Sequence, residues 1–311
     1  LSERLRRALK LREAIYDAPF YRLVHAEGDG LPGLVIDRFG DVCSLQVTTA
    51  GMEHLTPALL EALDAVIAPK VVVLRNDTPS RAFEGLENHV RVAKGELPAR
   101  ISVEENGAHY VADLAEGQKA GWYYDQRDNR AFMAKLANGE RFLDAYSYAG
   151  GFGIAAAKAG AKSVTLIDSS QGALALAEEA AKANDVTIKT VKADVFDELE
   201  RIAARAETFD IVIADPPPFV KSKKDLESGA RAYRKLARMA ALVTAPGGYL
   251  LLASCSHNIP QERFALECAA GIVRTGRASA LIHQSGAGAD HPVHPMLPET
   301  AYLKALVYAL D

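Results

Sequence analysis

A chain of 311 residues, 49% hydrophobic and 24% charged, has the composition of a globular protein and room for two domains. Its net charge of −4 excludes a global attraction to nucleic acid, so any such contact must come from a local basic patch. No apolar run approaches the ~20 residues that cross a bilayer. Cys43, Cys255 and Cys268, odd in number and sparse, exclude a disulfide framework and point to a reducing cytoplasm; no Cys/His group has zinc-ligand spacing, so no metal is expected.

In chain order, residues 1–18 read as a short basic helix or linker carrying Arg4, Arg6, Arg7, Lys10 and Arg12, and a solvated face fits as well as an RNA-facing one. The start has neither an apolar leader core nor an initiator Met, so no secretory signal is expected and a longer natural N-terminus is. Residues 19–115 read as a small α+β domain that positions substrate. It has strands over 34–36 and 43–47 around a turn at Phe39-Gly40-Asp41, a helix over 53–67 and a strand over 71–74. Strands over 101–103 and 110–112 flank Asn106-Gly107, a type I′ hairpin signal.

From residue 116 to 311 strands and helices alternate. Strands are expected over 141–145, 163–167, 188–192, 211–214 and 249–253, with helices over 152–159, 171–183, 195–205, 226–243 and 261–272. Such alternation builds a parallel sheet covered on both faces. Two more strands between Ser279 and Leu310 close it as an antiparallel hairpin. The expected fold is α/β: a Rossmann-like domain with a mostly parallel seven-stranded sheet, preceded by the small α+β domain.

Ligands of such sheets sit outside the carboxyl ends of the strands. The first strand here runs into Asp144-Ala145-Tyr146-Ser147-Tyr148-Ala149-Gly150-Gly151-Phe152-Gly153. A glycine-rich strand-to-helix loop serves dinucleotides too, but acids recur at successive strand ends: Asp144, Asp168, Asp194 and Asp215. Asp144 suits an ammonium, Asp168 a pair of ribose hydroxyls, and Asp194 an adenine amino group. Together they fit S-adenosylmethionine (SAM), whose sulfonium and amine are cationic, rather than a pyrophosphate. Each acid is also a candidate helix N-cap. Tyr146, Tyr148, Gly150, Gly151, Gly153, Ser169 and Val195 complete the expected cofactor set, with S-adenosylhomocysteine as the product.

The fourth strand runs into Asp215-Pro216-Pro217-Pro218-Phe219. Prolines stiffen a loop, which can then offer a carboxylate and an aromatic face to a planar base. Phe219 can stack on that base or pack inward. Cys255 follows the fifth strand, near Asp215. A thiolate adding to C6 of a pyrimidine makes C5 nucleophilic toward a methyl donor, and this needs a thiol whose ionisation is favoured. Cys255 and Asp215 are the expected catalytic pair, while Cys43 and Cys268 read as core. His257 can assist proton removal or be simply solvated. Lys221, Lys223, Lys224, Arg231 and further basic residues to Arg238 suit RNA phosphates, or form an exposed helix face. Pro216, Pro217, Phe219, Lys221, Lys224 and Arg231 are the expected substrate contacts.

Three further stretches are specific: Tyr16-Asp17-Ala18-Pro19-Phe20-Tyr21-Arg22-Leu23-Val24, residues 27–38, and Gly117-Gln118-Lys119-Ala120-Gly121-Trp122-Tyr123-Tyr124-Asp125-Gln126-Arg127-Asp128-Asn129-Arg130. With the loops above, they make the sequence resemble the bacterial 23S rRNA cytosine-5 methyltransferases of the RlmI type over nearly the whole chain. The resemblance implies SAM contacts from Gln126, Arg127, the 150–153 loop, Asp168, Asp194 and Asp215, a single catalytic cysteine at Cys255, and a substrate-positioning domain. It implies RNA, 23S rRNA, as partner, in the cytoplasm and away from membranes; a homodimer stays open. Two departures stand out. The family's N-terminal RNA-binding PUA domain is not found, so either it was lost or truncated or RNA binding is done differently, and Pro218 replaces a basic residue.

Three other readings compete: a methyltransferase acting on an exocyclic base amine or another RNA, an NAD-linked oxidoreductase, and a non-catalytic RNA-binding protein.

Overall fold

The structure, a computed structural model, describes residues 1–115 and 121–311; residues 117–120 of the last motif above lie outside the described residues. Two compact units form, one of residues 1–125 with 288–300 and the other of 126–287 with 301–311. The division comes later than the change of rhythm at residue 116 suggests, and residues 288–300 return to the first unit.

The first unit holds α1 (Ser2–Glu13), β1 (Phe20–His25), β2 (Leu34–Phe39), β3 (Val42–Val47), α2 (Ala50–His54), α3 (Thr56–Ile67), β4 (Val71–Asn76), β5 (His89–Lys94), β6 (Ile101–Glu105) and β7 (Ala108–Ala112). The first five strands form one sheet in chain order, and β6 pairs with β7. Asn106 and Gly107 turn that hairpin with φ of 51° and 74°, both left-handed, as a type I′ turn requires.

Two helices differ from expectation. α1 ends at Glu13 rather than at residue 18, and Pro19 keeps Ala18 itself out of helical space. The helix expected over 53–67 is two helices: Thr49 caps α2 and Pro57 sits in the first turn of α3, where its missing N–H costs nothing. Arg12 on α1 is not on a solvated face. It is fully buried and forks onto Asp29 at 2.6 and 2.8 Å. Residues 288–300 are held by that same arginine, which donates to Asp290 O at 2.7 Å, and by Asp290 accepting the Arg22 N–H.

The second unit holds α4 (Arg127–Ala134), β8 (Arg141–Ala145), α5 (Gly151–Lys158), β9 (Ser163–Asp168), α6 (Gln171–Ala183), β10 (Lys189–Lys192), α7 (Val195–Ala204), β11 (Phe209–Ala214), α8 (Leu226–Val243), β12 (Thr244–Ser254), α9 (Gln261–Val273), β13 (Ser279–Ser285) and β14 (Lys304–Leu310). Its seven-stranded sheet has the order β10-β9-β8-β11-β12-β14-β13. β8 through β12 run parallel, and β14 is antiparallel to both its neighbours. Phe142, Leu143, Val212, Ile213, Leu250 and Leu251 are almost fully buried, as strands covered on both faces require. α8 faces the sheet with Ala230, Tyr233, Ala237 and Ala240, leaving Arg231, Lys235 and Arg238 outward at helical spacing. The chain order reverses between β8 and β11, and there the carboxyl ends of the strands open a crevice for a ligand.

Candidate active site

The loop after β8 carries an unusual backbone. Tyr146 and Tyr148 have φ of 62° and 47°, and Gly150 has 77°. Left-handed non-glycine residues store strain and cluster at functional sites. A Cβ on Gly153 would meet Leu166 at 2.2 Å, so only glycine lets α5 pack this closely on β9. Asp144, in β8, is 1% exposed and accepts the Gly153 N–H at 2.9 Å. Burial, against that hydrogen bond, pushes its carboxyl up to about 8, and the charges of Asp215 and Asp168 add to the rise. Ser147 Oγ is buried with no partner.

The other expected acids stand along the same sheet edge. Asp168 ends β9 and accepts the Tyr148 N–H at 2.9 Å and the Ser170 N–H at 2.8 Å. Asp194 caps α7 by accepting the Asp197 N–H at 3.2 Å, so its cap role is realised; Val195 beside it is buried in the core, and Ser169 is exposed. Burial raises the Tyr146 phenol, and the Asp194 and Asp168 charges raise it further. Asp215 follows β11 and accepts from Gln126 Nε2 at 2.9 Å, while Gln126 Oε1 accepts from Asn129 Nδ2 at 2.6 Å. Gln126 and Arg127 are nearly buried at the start of α4.

Ala214 on β11 lies opposite Leu252 on parallel β12. Asp215 is therefore level with Ala253, and Cys255 lies two residues farther, about 7 Å along a strand about 5 Å away. Cys255 is half-buried, whereas Cys43 and Cys268 are buried. Burial pushes the Cys43 thiol up to about 12 and holds Cys268 well above the ordinary range, so both stay protonated core residues. His257 is exposed and stacks on Tyr302 at 5.0 Å.

The Asp-Pro-Pro and Cys255 loops are braced together. Tyr233 on α8 bonds Ser254 Oγ at 2.7 Å and Ser256 Oγ at 2.8 Å. It also accepts the Phe219 N–H at 3.4 Å, while Ser256 Oγ accepts the Val220 N–H at 3.3 Å. Pro216 is buried and Pro217 exposed. Phe219 packs against Tyr233 and Phe196 at 4.8 and 6.1 Å, the inward alternative of the sequence reading. Lys221, Lys224 and Arg231 are exposed. Arg231, Arg234, Lys235, Arg238 and Arg274 line an open cavity of about 620 Å³, in which Arg234 is paired with Glu267 at 2.6 Å.

A family model described as S-adenosylmethionine-dependent methyltransferase matches residues 43–309, which takes in the whole crevice. The chain belongs to the SAM-dependent methyltransferase family. This methyltransferase is 38% identical over 291 residues to the ribosomal RNA large subunit methyltransferase I of Aeromonas salmonicida, covering 92% of this chain and 74% of the relative. The protein of the same name from Photobacterium profundum is 40% identical over 288 residues, covering 91% and 72%. Among solved structures, a candidate SAM-dependent methyltransferase from Streptococcus mutans matches with TM-score 0.86 at 22% identity, over 99% of this chain and 80% of that one. A candidate methyltransferase solved with S-adenosylhomocysteine gives 0.87 at 23%, over the same shares. At these identities the two structures show a shared fold, the Rossmann-like α/β sheet expected from the sequence.

The methyltransferase's crevice fits SAM on its own chemistry. The buried Asp144 carboxyl, raised in the empty protein, suits an ammonium whose charge would favour its ionised form, and among the described residues the Ser147 hydroxyl has no partner. Sequence reading missed Ser147, Asn129, Tyr233, Ser254, Ser256 and Lys304. Only Lys304 carried a signal, as a lone charge heading the apolar run Ala305-Leu306-Val307. The others are polar residues whose value lies in contacts between distant segments. Among the described residues no helix is long and apolar enough to cross a membrane.

Proposed function

We propose that this enzyme methylates C5 of a cytidine in 23S rRNA, in the cytoplasm, through a covalent adduct between Cys255 and C6 of the base. The observation that carries the proposal is Cys255 itself, half-buried among three cysteines of which the other two are sealed, at the sheet edge beside Asp215. The relatives' name, a large-subunit ribosomal RNA methyltransferase, supports RNA as the substrate.

Bound SAM would supply a methyl group on a cationic sulfur. The residues to hold it are Asp144 and Ser147 at its amine end, Asp168 at the ribose, and the turn at Gly150–Gly153; Gln126, Arg127, Tyr146, Tyr148, Ser169, Asp194 and Val195 surround them. The Cys255 thiolate adds to C6, and C5, made nucleophilic, takes the methyl group as its bond to sulfur breaks and that electron pair stays on the sulfur, leaving S-adenosylhomocysteine. A base then removes the C5 proton, and the electrons of that C–H bond restore the double bond and expel the thiolate. Asp215, oriented by Gln126 and Asn129, accepts from the cytosine amino group, and Pro216 and Pro217 keep that carboxylate in place. The cavity of Arg231, Lys235, Arg238 and Arg274, with Lys221 and Lys224 on the preceding loop, binds backbone phosphates. The first unit positions the RNA.

Methyl transfer from labelled SAM to 23S rRNA transcripts tests this. Cys255→Ala should retain SAM binding and lose transfer by orders of magnitude. A fully active Cys255→Ala enzyme with methyl on an exocyclic nitrogen sinks the proposal and favours the base-amine reading.

A further inference from the structure

Lys304 is the one lysine of the sheet's closing strand, and it is 5% exposed. Its Cα is paired with Ser254, the residue before Cys255. Its ammonium donates to Ser256 O, the residue after Cys255, at 2.7 Å, and to Tyr302 O at 2.9 Å. Lys304 therefore brackets Cys255 from both sides. Two of its three N–H protons are taken by carbonyls, and among the described residues no carboxylate pairs with it. A buried cation without a counter-ion is costly, and an ordinary strand gains nothing from one.

We propose that Lys304 is the positioning residue for the cysteine nucleophile: its ammonium fixes the Cys255 loop and favours the thiolate over the thiol. The inference rests on the proposed role of Cys255. A cation beside a sulfur stabilises its anionic form, and the proton leaves to solvent. Burial lowers Lys304 below its ordinary range, and the Cys255 sulfur is the charge that pulls the other way; the coupling is reciprocal. Among the described residues, the other titratable groups around the thiol are Tyr233 on α8, whose phenol burial raises, His257 in the same loop, Tyr302 stacked on His257, and Asp215 at the end of β11. Tyr233 remains a neutral hydroxyl and Asp215 is an acid rather than a cation, so neither favours a thiolate. Among the described residues that leaves the imidazole of His257, exposed to water, as the rival.

The test is the pH dependence of iodoacetamide alkylation at Cys255 in the full-length protein, read by mass spectrometry of the Cys255 peptide. Cys43 and Cys268 are sealed and do not interfere. The wild-type midpoint should lie below the ~8.5 of a free thiol. In Lys304→Met it should move to higher pH and lower the neutral-pH rate about ten-fold, with the circular dichroism spectrum unchanged. A folded Lys304→Met with the wild-type midpoint overturns the assignment, as does a midpoint that moves with His257→Gln and not with Lys304→Met. If Lys304→Met does not fold, Lys304→Gln takes its place, and a wild-type midpoint at or above the free-thiol range overturns the proposal alone. This readout needs no methyl transfer. An inactive thiol role shows instead as an active Cys255→Ala enzyme, so the two failures are distinguishable.

Discussion

Both units close some buried ion pairs, Glu267 with Arg234 and Arg263 in the second among them, but two sets of buried groups contrast. In the first, Arg12 forks onto Asp29 and Arg22 onto Asp37 at 2.8 and 3.0 Å, and the spare protons of Arg12 go to carbonyls. In the second, among the described residues, Asp144 has a single backbone donor, Ser147 Oγ has none, and Lys304 has two carbonyls and no anion. A closed network is finished by folding and serves the architecture. A buried charge left incomplete raises the free energy of the empty protein, and the shortfall is made good when a ligand or reacting group arrives. Each unit leaves a buried hydroxyl without a partner among the described residues, Ser44 Oγ in the first and Ser147 Oγ in the second, so the place to look for chemistry is where such a group stands with buried acids at the carboxyl ends of the sheet's strands.

The comparison is most easily broken at its strongest point. Removing one partner of a closed pair, Asp29→Ala, strands the Arg12 guanidinium and should cost about 3–5 kcal/mol in denaturant unfolding; a loss under about 1 kcal/mol would show that the pair contributes nothing. The open group should behave otherwise. Asp144→Asn keeps the shape, leaves the empty protein at least as stable at neutral pH, and weakens SAM binding ten-fold or more in calorimetry. Equal losses of stability in both variants erase the distinction.

Titration sharpens it, with opposite signs. The Asp144 carboxyl is raised to about 8 when folded, so the unfolded chain releases its proton first. Stability is then lost as pH climbs from about 4 toward about 8, and Asp144→Asn should flatten this slope. His25, buried against Arg22 and His291, is lowered to about 2 when folded. The unfolded imidazole takes up a proton first, and stability is lost as pH falls below about 6.5, by at most about 1.4 kcal/mol per pH unit. Thermal melts of wild type, Asp144→Asn and His25→Gln across pH 5–8 read both limbs. At the small end, Glu227→Ala removes an exposed pair with Arg263 and should change stability by less than about 1 kcal/mol. A larger loss would mean that surface pairs on α8 and α9 carry architecture too.

Sequence alone determined the alternation that builds the α/β sheet, the glycine loop after β8, the row of acids and the placement of Cys255 past the fifth strand. These are local signals: hydrophobic period, turn chemistry and strand-end residue types are set by neighbours in the chain. It misjudged the end of α1 at Glu13 and the break between α2 and α3, where Pro57 opens a new first turn. Phe219 offered two fates with the same local chemistry, and packing against Tyr233 chose between them. Only the tertiary structure decided which buried polar groups are completed. Asp215 meets Gln126, Tyr233 joins two loops, and Lys304 comes to lie beside Cys255 because β14 inserts antiparallel next to β12. Whether a charge is satisfied depends on residues far away in the chain, and no local pattern encodes that distance.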